Sequence, residues 1–321
     1  MESTEPGPSE PLRARESWAK AEAPASAAAD VPPGLRIRPL SEAADLPGAL
    51  ALSVSAHWNQ NEADWRDMLA LGQGWGIDAP SPQGQGVLAA STVVLPYGPD
   101  FAWVSMVLVL PEYRRQGFAS LLLRHALAML KAQGRSAVLD ATPAGHAVYR
   151  QEGFADTWGF ARYRRDALQA GALRPAVQPR PRPLTEGDWV RIAALDAPAF
   201  GADRLPLLRR LAARQPRAAL VLENSGRIAG YVLAREGREA TQIGPLVARD
   251  EAAAFELLEA ALATVPGPVY VDLLDGRPGL LSQLQALGFV LQRPFTRMVH
   301  GRKKAPGDPG ALMLVAGPEL G

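Results

Sequence analysis

The 321-residue chain contains no cysteine, so it can form neither a disulfide, nor a thiolate metal site, nor a cysteine nucleophile. Histidine is scarce: His57, His125, His146 and His300 show no paired metal-ligand spacing, so we expect no metal. An excess of one charge is also missing, because 34 Lys and Arg against 33 Asp and Glu leave a net charge of +1. This balance gives no reason to expect a nucleic-acid or acidic-membrane partner.

Long apolar runs are absent as well. No apolar stretch approaches the length that a helix needs to span a bilayer. The first residues, MESTEPGPSEPLRARE, are acidic and contain no apolar stretch of the kind found in signal peptides. We therefore expect a soluble, cytoplasmic protein, and the missing cysteine fits a reducing compartment.

Two proline-rich segments separate the parts of the chain that can form cores. Residues 1–33 are rich in Ala, Pro, Ser and Glu, bury too little apolar surface to offset the entropy of ordering, and are predicted to be a disordered tail. Residues 171–183 are predicted to be a linker, because proline stiffens the backbone and removes hydrogen-bond donors. The predicted domains are therefore residues 34–170 and 184–321, and two domains are what this length favours.

The two predicted domains resemble each other in sequence. RIRPLSE at residues 36–42 recurs as RPRPLTE at residues 180–186, each time with a Ser or Thr that can cap the next helix. A Gly-Phe pair at residues 153–154 recurs at nearly the same spacing at residues 288–289, each time after a short helical pattern. We therefore interpret the chain as a tandem repeat of one fold, copy one and copy two.

Hydrophobic periodicity predicts the elements of both copies. In copy one it predicts strands at 35–39, 86–95, 102–110, 137–141 and 160–164, and helices at 43–54, 61–71, 116–133 and 144–152. In copy two it predicts strands at 218–223, 227–235, 240–248, 269–274 and 293–299, and helices at 251–263 and 279–287. The regular strand–helix alternation of a Rossmann domain is missing, so we predict an α/β (mixed α+β) fold with a mainly antiparallel sheet flanked by helices.

The stretch VLVLPEYRRQGFASLLL, residues 107–123, predicts a strand that enters a helix through a basic turn containing glycine. Free backbone N–H groups and the positive end of the helix dipole favour an anion at such a helix start. Gly117 allows close approach to the backbone, and Arg114 and Arg115 add donors suited to phosphate oxygens. The turn is a candidate phosphate site, although Arg-x-x-Gly-x-Ala alone also occurs at ordinary helix starts.

This turn, together with Tyr-x-x-x-Gly-Phe at residues 149–154, resembles the Gcn5-related N-acetyltransferase (GNAT) family over roughly residues 35–165. The family's hallmark is a strand, then Val-x-Pro-x-x-Arg-x-x-Gly-x-Gly/Ala, then a helix, and residues 109–119 match it. The resemblance implies two tandem acyl-CoA N-acyltransferase domains that use acetyl-CoA as cosubstrate, without a metal. It also implies direct transfer of the acetyl group to an amine, with no covalent enzyme intermediate.

The resemblance implies a cofactor site along one strand and the turn that follows it. In the family the pantetheine arm pairs with a splayed strand edge, here residues 107–109, and the amides of residues 115–120 hold the pyrophosphate. The residues implied at the cofactor are Val107, Leu108, Val109, Arg114, Arg115, Gln116, Gly117, Phe118, Ala119, Ser120 and Thr142.

The proton-transfer groups are less completely matched. The resemblance implies that Tyr149 protonates the departing thiolate; a packed aromatic side chain is the alternative. Thr142 stands where the family often has an Asn that touches cofactor or acceptor. The general base is not evident, because the family often has a Glu on the central strand and residues 101–106 carry none. A bound water or a residue of the first helical region could substitute.

That first helical region, residues 55–67, walls the acceptor pocket in the family. His57 is a candidate for that pocket. We interpret Glu62 and Asp64 as solvent-facing acids of an amphipathic helix that has Trp65 in the core.

Copy two keeps the predicted scaffold and loses these features. Its turn, residues 247–254, has no glycine and places Asp250 and Glu251 at the helix start, where they would repel a pyrophosphate. Leu284 stands where copy one has Tyr149. We predict that copy two binds no CoA, and that it completes the acceptor site, stabilises copy one or mediates assembly.

The acceptor is predicted only as a small-molecule or peptide amine, because this fold reads its acceptor through variable loops. The sequence does not determine the oligomeric state, and a homodimer is compatible with it. The alternative function is a non-catalytic acyl-CoA-binding sensor or regulatory protein. It is motivated by the missing Glu, by Thr142 and by the degenerate second copy.

Overall fold

The computed structural model describes residues 35–80, 86–166 and 181–321. The predicted tail, residues 1–33, and residues 171–180 of the predicted linker lie outside the described residues. The helices are α1 (Glu42–Ser55), α2 (Glu62–Leu71), α3 (Phe118–Ala132), α4 (Pro143–Gln151), α5 (Trp189–Phe200), α6 (Leu205–Arg214), α7 (Glu251–Leu262) and α8 (Pro278–Ala286). The strands are β1 (Ile37–Pro39), β2 (Gln73–Pro80), β3 (Gly86–Tyr97), β4 (Phe101–Val109), β5 (Ser136–Ala141), β6 (Ala155–Arg165), β7 (Arg182–Pro183), β8 (Leu220–Asn224), β9 (Arg227–Arg235), β10 (Thr241–Ala248), β11 (Val269–Leu274), β12 (Val290–His300) and β13 (Leu312–Leu314).

The strands and helices predicted from periodicity do not include β2, β7, α5, α6 and β13. Proline explains part of this difference, because Pro198 lies inside α5 and α6 begins with a proline in its first turn. The predicted linker also ends too late, since Arg182 and Pro183 pair with β8 as the edge strand β7. An edge position tolerates the missing N–H of the proline.

The predicted helix at 116–133 begins two residues later, at Phe118. Gly117 has φ +83° and Arg115 has φ +61°, both in the left-handed region. A right-handed helix cannot pass through these residues, so they form the turn that precedes α3.

The 13 strands of the described residues form one sheet, in the order β1-β2-β3-β4-β5-β12-β6-β11-β13-β10-β9-β8-β7. Neighbouring strands run antiparallel except in the pairs β4–β5 and β10–β11. Helices α1 and α2 cover one face of β3 and β4, where Trp65 and Val93 belong to one core cluster. Helix α3 covers the other face, where Leu122 and Val94 belong to another. These layers confirm the predicted mixed fold with a mainly antiparallel sheet and flanking helices.

The two copies exchange their last long strands. Strand β12 of copy two lies between β5 and β6, and β6 of copy one lies between β12 and β11. Buried ion pairs join the exchanged strands to their new neighbours: Arg162 Nη2 donates to Asp272 Oδ2 at 2.7 Å, and Arg297 Nε donates to Asp140 Oδ1 at 2.8 Å. The sequence predicted two copies joined in series, and this exchange makes them one continuous sheet.

The repeat is visible in the backbone of both copies. Gly153 and Gly288 have φ +88° and +83°, and each ends the last helix of its copy. The next N–H, that of Phe154 or Phe289, donates to the carbonyl five residues earlier at 3.0 Å in both copies. In copy one that carbonyl belongs to Tyr149, so the sequence alignment of the two helices is confirmed.

Candidate active site

Strands β4 and β5 pair at one end only. Their register covers residues 101–103 and 136–138, and beyond Trp103 no described strand pairs with this edge of β4. A β-bulge at Met106, which has φ +51°, turns the strand at this point. The hydroxyl of Ser91 donates to the Met106 carbonyl at 2.8 Å and holds the bulge. Residues 104–109 therefore present a free backbone edge to a widening gap, and the predicted residues Val107, Leu108 and Val109 lie on it.

The turn after β4 contains two left-handed residues, Arg115 and Gly117. Left-handed residues alternate with right-handed ones in backbone turns that direct successive amides toward an anion. The first helical bond of α3 runs from Leu121 N–H to the Gly117 carbonyl at 2.9 Å. The amides of Phe118, Ala119 and Ser120 precede that bond and have no acceptor within the helix. A Cβ added at Gly117 would meet no atom within 4 Å, so the space in front of the turn is open.

The side chains of the turn mainly hold its shape. Arg114 Nε donates to the Val109 carbonyl at 3.1 Å, and Gln116 Nε2 donates to the Glu112 carbonyl at 3.2 Å. The Phe118 ring is buried and stacks on Tyr113, with ring centroids 6.2 Å apart. Of the predicted cofactor residues, Phe118 could thus contribute only its backbone, whereas the exposed Arg115 could contribute a guanidinium as well.

Tyr149 and Thr142 are both placed by α4, which Thr142 caps and which carries Tyr149. The Thr142 hydroxyl caps this helix by accepting the Gly145 N–H at 3.2 Å. The Tyr149 ring stands edge-on to Phe154 at a centroid distance of 6.0 Å. Burial raises the pKa of Tyr149 to about 12, so its hydroxyl is protonated at neutral pH.

A narrow cleft lies at the gap between β4 and β5. Copy one and copy two both supply its walls, which are formed by Trp58, Gln60, Val104, Ser105, Met106, Val107, Asp140, Thr142, Tyr149, Arg162, Arg293, Phe295, Pro318 and Glu319. The cleft brings together three predicted site residues, Val107, Thr142 and Tyr149, and the turn at residues 114–120 lies outside its walls.

The cleft wall carries several polar atoms without a protein partner. Gln60 Oε1, Ser105 Oγ, Arg293 Nε and Glu319 Oε2 are all buried and accept or donate no hydrogen bond among the described residues. A buried polar group without a partner is destabilising, and such groups gathered on one wall indicate a site for a polar ligand. None of these four residues is among the site residues predicted from the sequence. The sequence offers one weak signal for them, the charge of Arg293 and of Glu319.

The expected roles of the first helical region need two corrections. His57 is exposed and does not line the cleft; Trp58 and Gln60 do. Asp64 was expected in solvent and is buried, because Arg214 Nη1 and Arg235 Nε, both from copy two, donate to its Oδ1 at 2.6 and 2.7 Å. The expectations for its neighbours hold: Glu62 lies at the surface and Trp65 in the core.

In copy two the corresponding gap is filled by the chain itself. Strand β13 lies between β10 and β11, where Leu314 pairs with both Leu246 and Leu273. At the start of α7, Asp250 accepts the Ala253 N–H at 2.8 Å, so a carboxylate occupies the place where copy one has free amides. Both features support the prediction, which stays a prediction, that copy two binds no CoA.

The described residues offer neither a metal site nor a membrane-spanning helix. They contain no group of three or more His, Asp or Glu side chains that could hold a metal ion. None of their helices is long and apolar enough to cross a membrane.

Comparison with known proteins places one acetyltransferase domain in each copy. Two family models, each described as an acetyltransferase (GNAT) domain, match residues 82–156 and 192–313. The uncharacterized N-acetyltransferase YitH of Bacillus subtilis (strain 168) is 24% identical over 221 residues, which are 68% of this chain and 76% of that protein. Holothin acyltransferase of Pseudoalteromonas sp. (strain SANK 73390) is 26% identical over 234 residues, which are 72% of this chain and 77% of that protein.

Solved structures show the same fold. A candidate acetyltransferase from Pyrococcus horikoshii superimposes with a TM-score of 0.74 at 18% identity, covering 90% of this chain and 96% of that one. A tandem GNAT protein from the clavulanic acid biosynthesis pathway superimposes with a TM-score of 0.58 at 18% identity, covering 84% of this chain and 100% of that one. At these identities the likeness concerns the fold.

Proposed function

The chain belongs to the GNAT acetyltransferase family, with two GNAT domains in tandem, and on that premise we propose that it transfers the acetyl group of acetyl-CoA directly to an amine at the copy-one cleft. Membership of the family makes it an acyltransferase that uses an acyl-CoA cosubstrate. The choice of acetyl-CoA, the direct transfer to an amine and the site residues are the proposal.

The main support for the proposal is a difference between the gap at β4 and β5 in copy one and the gap at β10 and β11 in copy two. In copy two β13 supplies a strand to the edges of β10 and β11. In copy one no described strand pairs with the edge of β4 at residues 104–109, and this edge leads to the open turn at Gly117. An extended amide chain that ends in a pyrophosphate fits this pair of features: the chain can pair with the edge, and the anion can meet the amides.

The proposed chemistry of the chain is proton transfer at the cleft. When bound, acetyl-CoA supplies the acetyl group as a thioester. The nitrogen lone pair of the acceptor forms the new bond to the acetyl carbon, the carbon–sulfur bond breaks, and its electron pair stays on sulfur. Tyr149 stays protonated because of its raised pKa, so its hydroxyl can donate the proton that the sulfur needs.

An amine panel tests the proposal and separates it from an acyl-CoA sensor. Acetyl-CoA is mixed with benzylamine, aniline, spermidine, glycine and a peptide with a free N-terminus. Released CoA is read with a thiol reagent, and this assay has no background from the protein because the chain has no cysteine. Glycine is included because Arg293 on the cleft wall has an unpartnered Nε that could bind a carboxylate. Amine-dependent release of CoA with an acetylated product supports the proposal. Tight binding of acetyl-CoA without release supports the sensor.

We expect Tyr149→Phe to lower kcat by about 100-fold or more, because it removes the proton donor and keeps the ring. The affinity for acetyl-CoA should stay within about twofold, since the turn at Gly117 is untouched. The matched control is Tyr163→Phe, on β6 and outside the cleft, which should keep the wild-type kcat. Equal losses in both variants would contradict the role of Tyr149.

The raised pKa of Tyr149 also predicts the alkaline side of the pH profile. An acid must be protonated to act, and burial raises its pKa from the ordinary 10.0 to about 12. The kcat of the wild type should therefore not decline between about pH 9 and about pH 10.5, where an ordinary tyrosine begins to ionise. A decline of kcat centred near pH 10 in the wild type and absent from Tyr149→Phe would contradict the buried position of the hydroxyl.

A further inference from the structure

Copy one has no candidate for the general base on its strand β4. Strand β4, residues 101–109, contains no Asp or Glu. Among the residues that line the cleft, the carboxylates are Asp140 and Glu319. Asp140 is engaged at both oxygens, because Arg297 Nε and Nη2 donate to Oδ1 and Oδ2 at 2.8 and 2.9 Å. Of the two carboxylates that line the cleft, Glu319 is the one with an oxygen that has no partner among the described residues.

Glu319 comes from copy two and reaches copy one through the segment 312–321. The first part of this segment is β13, which fills the gap of copy two. The rest continues to the neighbouring cleft of copy one, where Pro318 and Glu319 form part of the wall. The segment that fills the gap of copy two with β13 therefore also places the carboxylate of Glu319 at the cleft of copy one.

The segment is held from both sides, so Glu319 has a defined position. From copy one, the Tyr97 hydroxyl donates to the Leu320 carbonyl at 2.8 Å, and Trp103 Nε1 donates to the Pro318 carbonyl at 3.0 Å. From copy two, Arg235 Nη1 donates to the Ala316 carbonyl and Arg204 Nη1 to the Gly321 carbonyl, both at 2.6 Å. These four bonds fix the backbone on either side of Glu319 in a buried position.

The two oxygens of Glu319 have different surroundings. Oε1 accepts a hydrogen bond from Arg235 Nη2, and the same guanidinium also donates to Asp64 through Nε. Oε2 is buried and has no partner among the described residues, and Glu319 is one of the residues that line the cleft. The side chain of Glu319 is 1% exposed. A buried carboxylate with one oxygen paired to Arg and the other free can bind an ammonium group more strongly than an exposed one, because water does not compete.

We propose that Glu319 is the general base of copy one, so that copy two supplies a catalytic residue to the active site of its neighbour. This inference rests on the proposed function. Oε2 binds the ammonium group of the acceptor and takes one proton from it. The freed nitrogen lone pair forms the bond to the acetyl carbon, the carbon–sulfur bond breaks, and Tyr149 returns a proton to the sulfur. The nitrogen of the new amide then releases its second proton, which restores Tyr149 through solvent, and Glu319 passes the first proton to solvent. The two protons lost by the ammonium group are therefore balanced by one proton on the CoA thiol and one in solvent.

The test compares Glu319→Gln with wild type on two amines. Benzylamine is protonated at neutral pH and needs a base, whereas aniline is already unprotonated. We expect the variant to bind acetyl-CoA as the wild type does in calorimetry, since residues 104–120 are unchanged. Its kcat/KM should fall about 100-fold or more with benzylamine and less than about 10-fold with aniline. If benzylamine is not turned over by the wild type, the most active aliphatic amine of the panel replaces it.

Two further variants separate catalysis from structure. Glu236→Gln is the matched control, because Glu236 also pairs one oxygen with an arginine, Arg214, leaves Oε2 unpartnered and lies outside the cleft. It should keep the wild-type rate with both amines. Glu319→Asp keeps a negative charge opposite Arg235, and it replaces Glu319→Gln in the experiment if that variant does not fold. It should lose activity with benzylamine and keep it with aniline.

The outcomes distinguish this inference from the function it rests on. A wild type that acetylates no amine overturns the proposed function, and the inference falls with it. A wild type that is active beside an equally active Glu319→Gln overturns the inference alone. Equal losses with benzylamine and aniline in the folded variants also overturn it, because they would show a structural role for Glu319.

Discussion

Gly117→Asp should weaken acetyl-CoA binding by about 100-fold or more, while Gly288→Asp leaves it unchanged. Gly117 has φ +83° and open space in front of it, at the point where the first amides of α3 have no helical acceptor. An aspartate there would put a carboxylate against those amides. It would compete with the pyrophosphate for the same donors and repel its charge.

Gly288 makes an unusually close control for this experiment. It also has φ +83°, is exposed, and would meet no atom within 4 Å if a Cβ were added. Aspartate costs about 1–2 kcal/mol of backbone strain at either position, so both variants should lose similar thermal stability. Calorimetric titration of acetyl-CoA into the wild type and both variants gives the answer. Equal affinity in all three would show that the turn is only a connection between β4 and α3.

The features that are encoded locally could be predicted from the sequence. The turn at residues 111–117, the start of α3 and the Gly-Phe ends of α4 and α8 all depend on residues within one or two helical turns. Glycine at positive φ, proline at a strand end and apolar spacing report such features directly. The tandem GNAT assignment and the mixed fold followed from them, and both are confirmed.

Strand β2 shows how a local signal can mislead. Its sequence, QGWGIDAP, contains two glycines and a proline and was assigned to no element. The structure gives another reason for Gly76: a Cβ there would come within 2.4 Å of Leu88 Cδ1 and 2.7 Å of Leu40 Cδ2. Because Gly76 has no side chain, Leu40 and Leu88 can pack closely against the strand. The sequence pattern alone does not distinguish a glycine of this kind from a glycine in a turn.

The composition of the cleft could not be predicted, because it depends on pairings across long stretches of chain. Arg162 pairs with a partner 110 residues away, and Arg235 pairs with Glu319 across 84 residues. Each of these residues appears in the sequence as one of many charges. What brings them together is the exchange of β6 and β12 and the path of the segment 312–321, and neither has a local sequence signal.

The same exchange changes what the degenerate copy means for the protein. Judged by its own turn and its own helix, copy two has lost the features of a CoA site. In the assembled sheet it supplies β12 to copy one, pairs Arg214 and Arg235 with Asp64, and provides part of the cleft wall. A second copy that forms part of its neighbour's site can lose its own cofactor turn and still be required. This favours completion of the acceptor site and stabilisation of copy one among the three roles expected for it.

Because the copies share one sheet, Asp272→Ala in copy two should destabilise copy one as well. Arg162 on β6 donates two hydrogen bonds to Asp272 on β11, both at 2.7 Å, and Gln242 donates a third at 3.1 Å. Arg162 and Asp272 are 2% and 0% exposed. Removing the carboxylate leaves a buried guanidinium without a counter-ion, so the free energy of unfolding should fall by about 3–5 kcal/mol.

Urea unfolding followed by circular dichroism and tryptophan fluorescence measures this loss. The described tryptophans of copy one are Trp58, Trp65, Trp75, Trp103 and Trp158, and copy two has Trp189. Fluorescence therefore reports mainly on copy one, and its transition should shift together with the dichroism in a single step. The control is Glu186→Ala, which removes an exposed pair with Arg209 and should cost no more than about 1 kcal/mol.

A double variant identifies the cause of the loss. Replacing both partners, as Arg162→Met with Asp272→Leu, removes the unpaired charge and should recover most of the stability, because apolar residues of similar size often replace a buried ion pair at little cost. If the fluorescence transition stayed in place while the dichroism split into two steps, the copies would unfold independently. The shared sheet would then not couple them, and the delivery of Glu319 from one copy to the other would lose its structural basis.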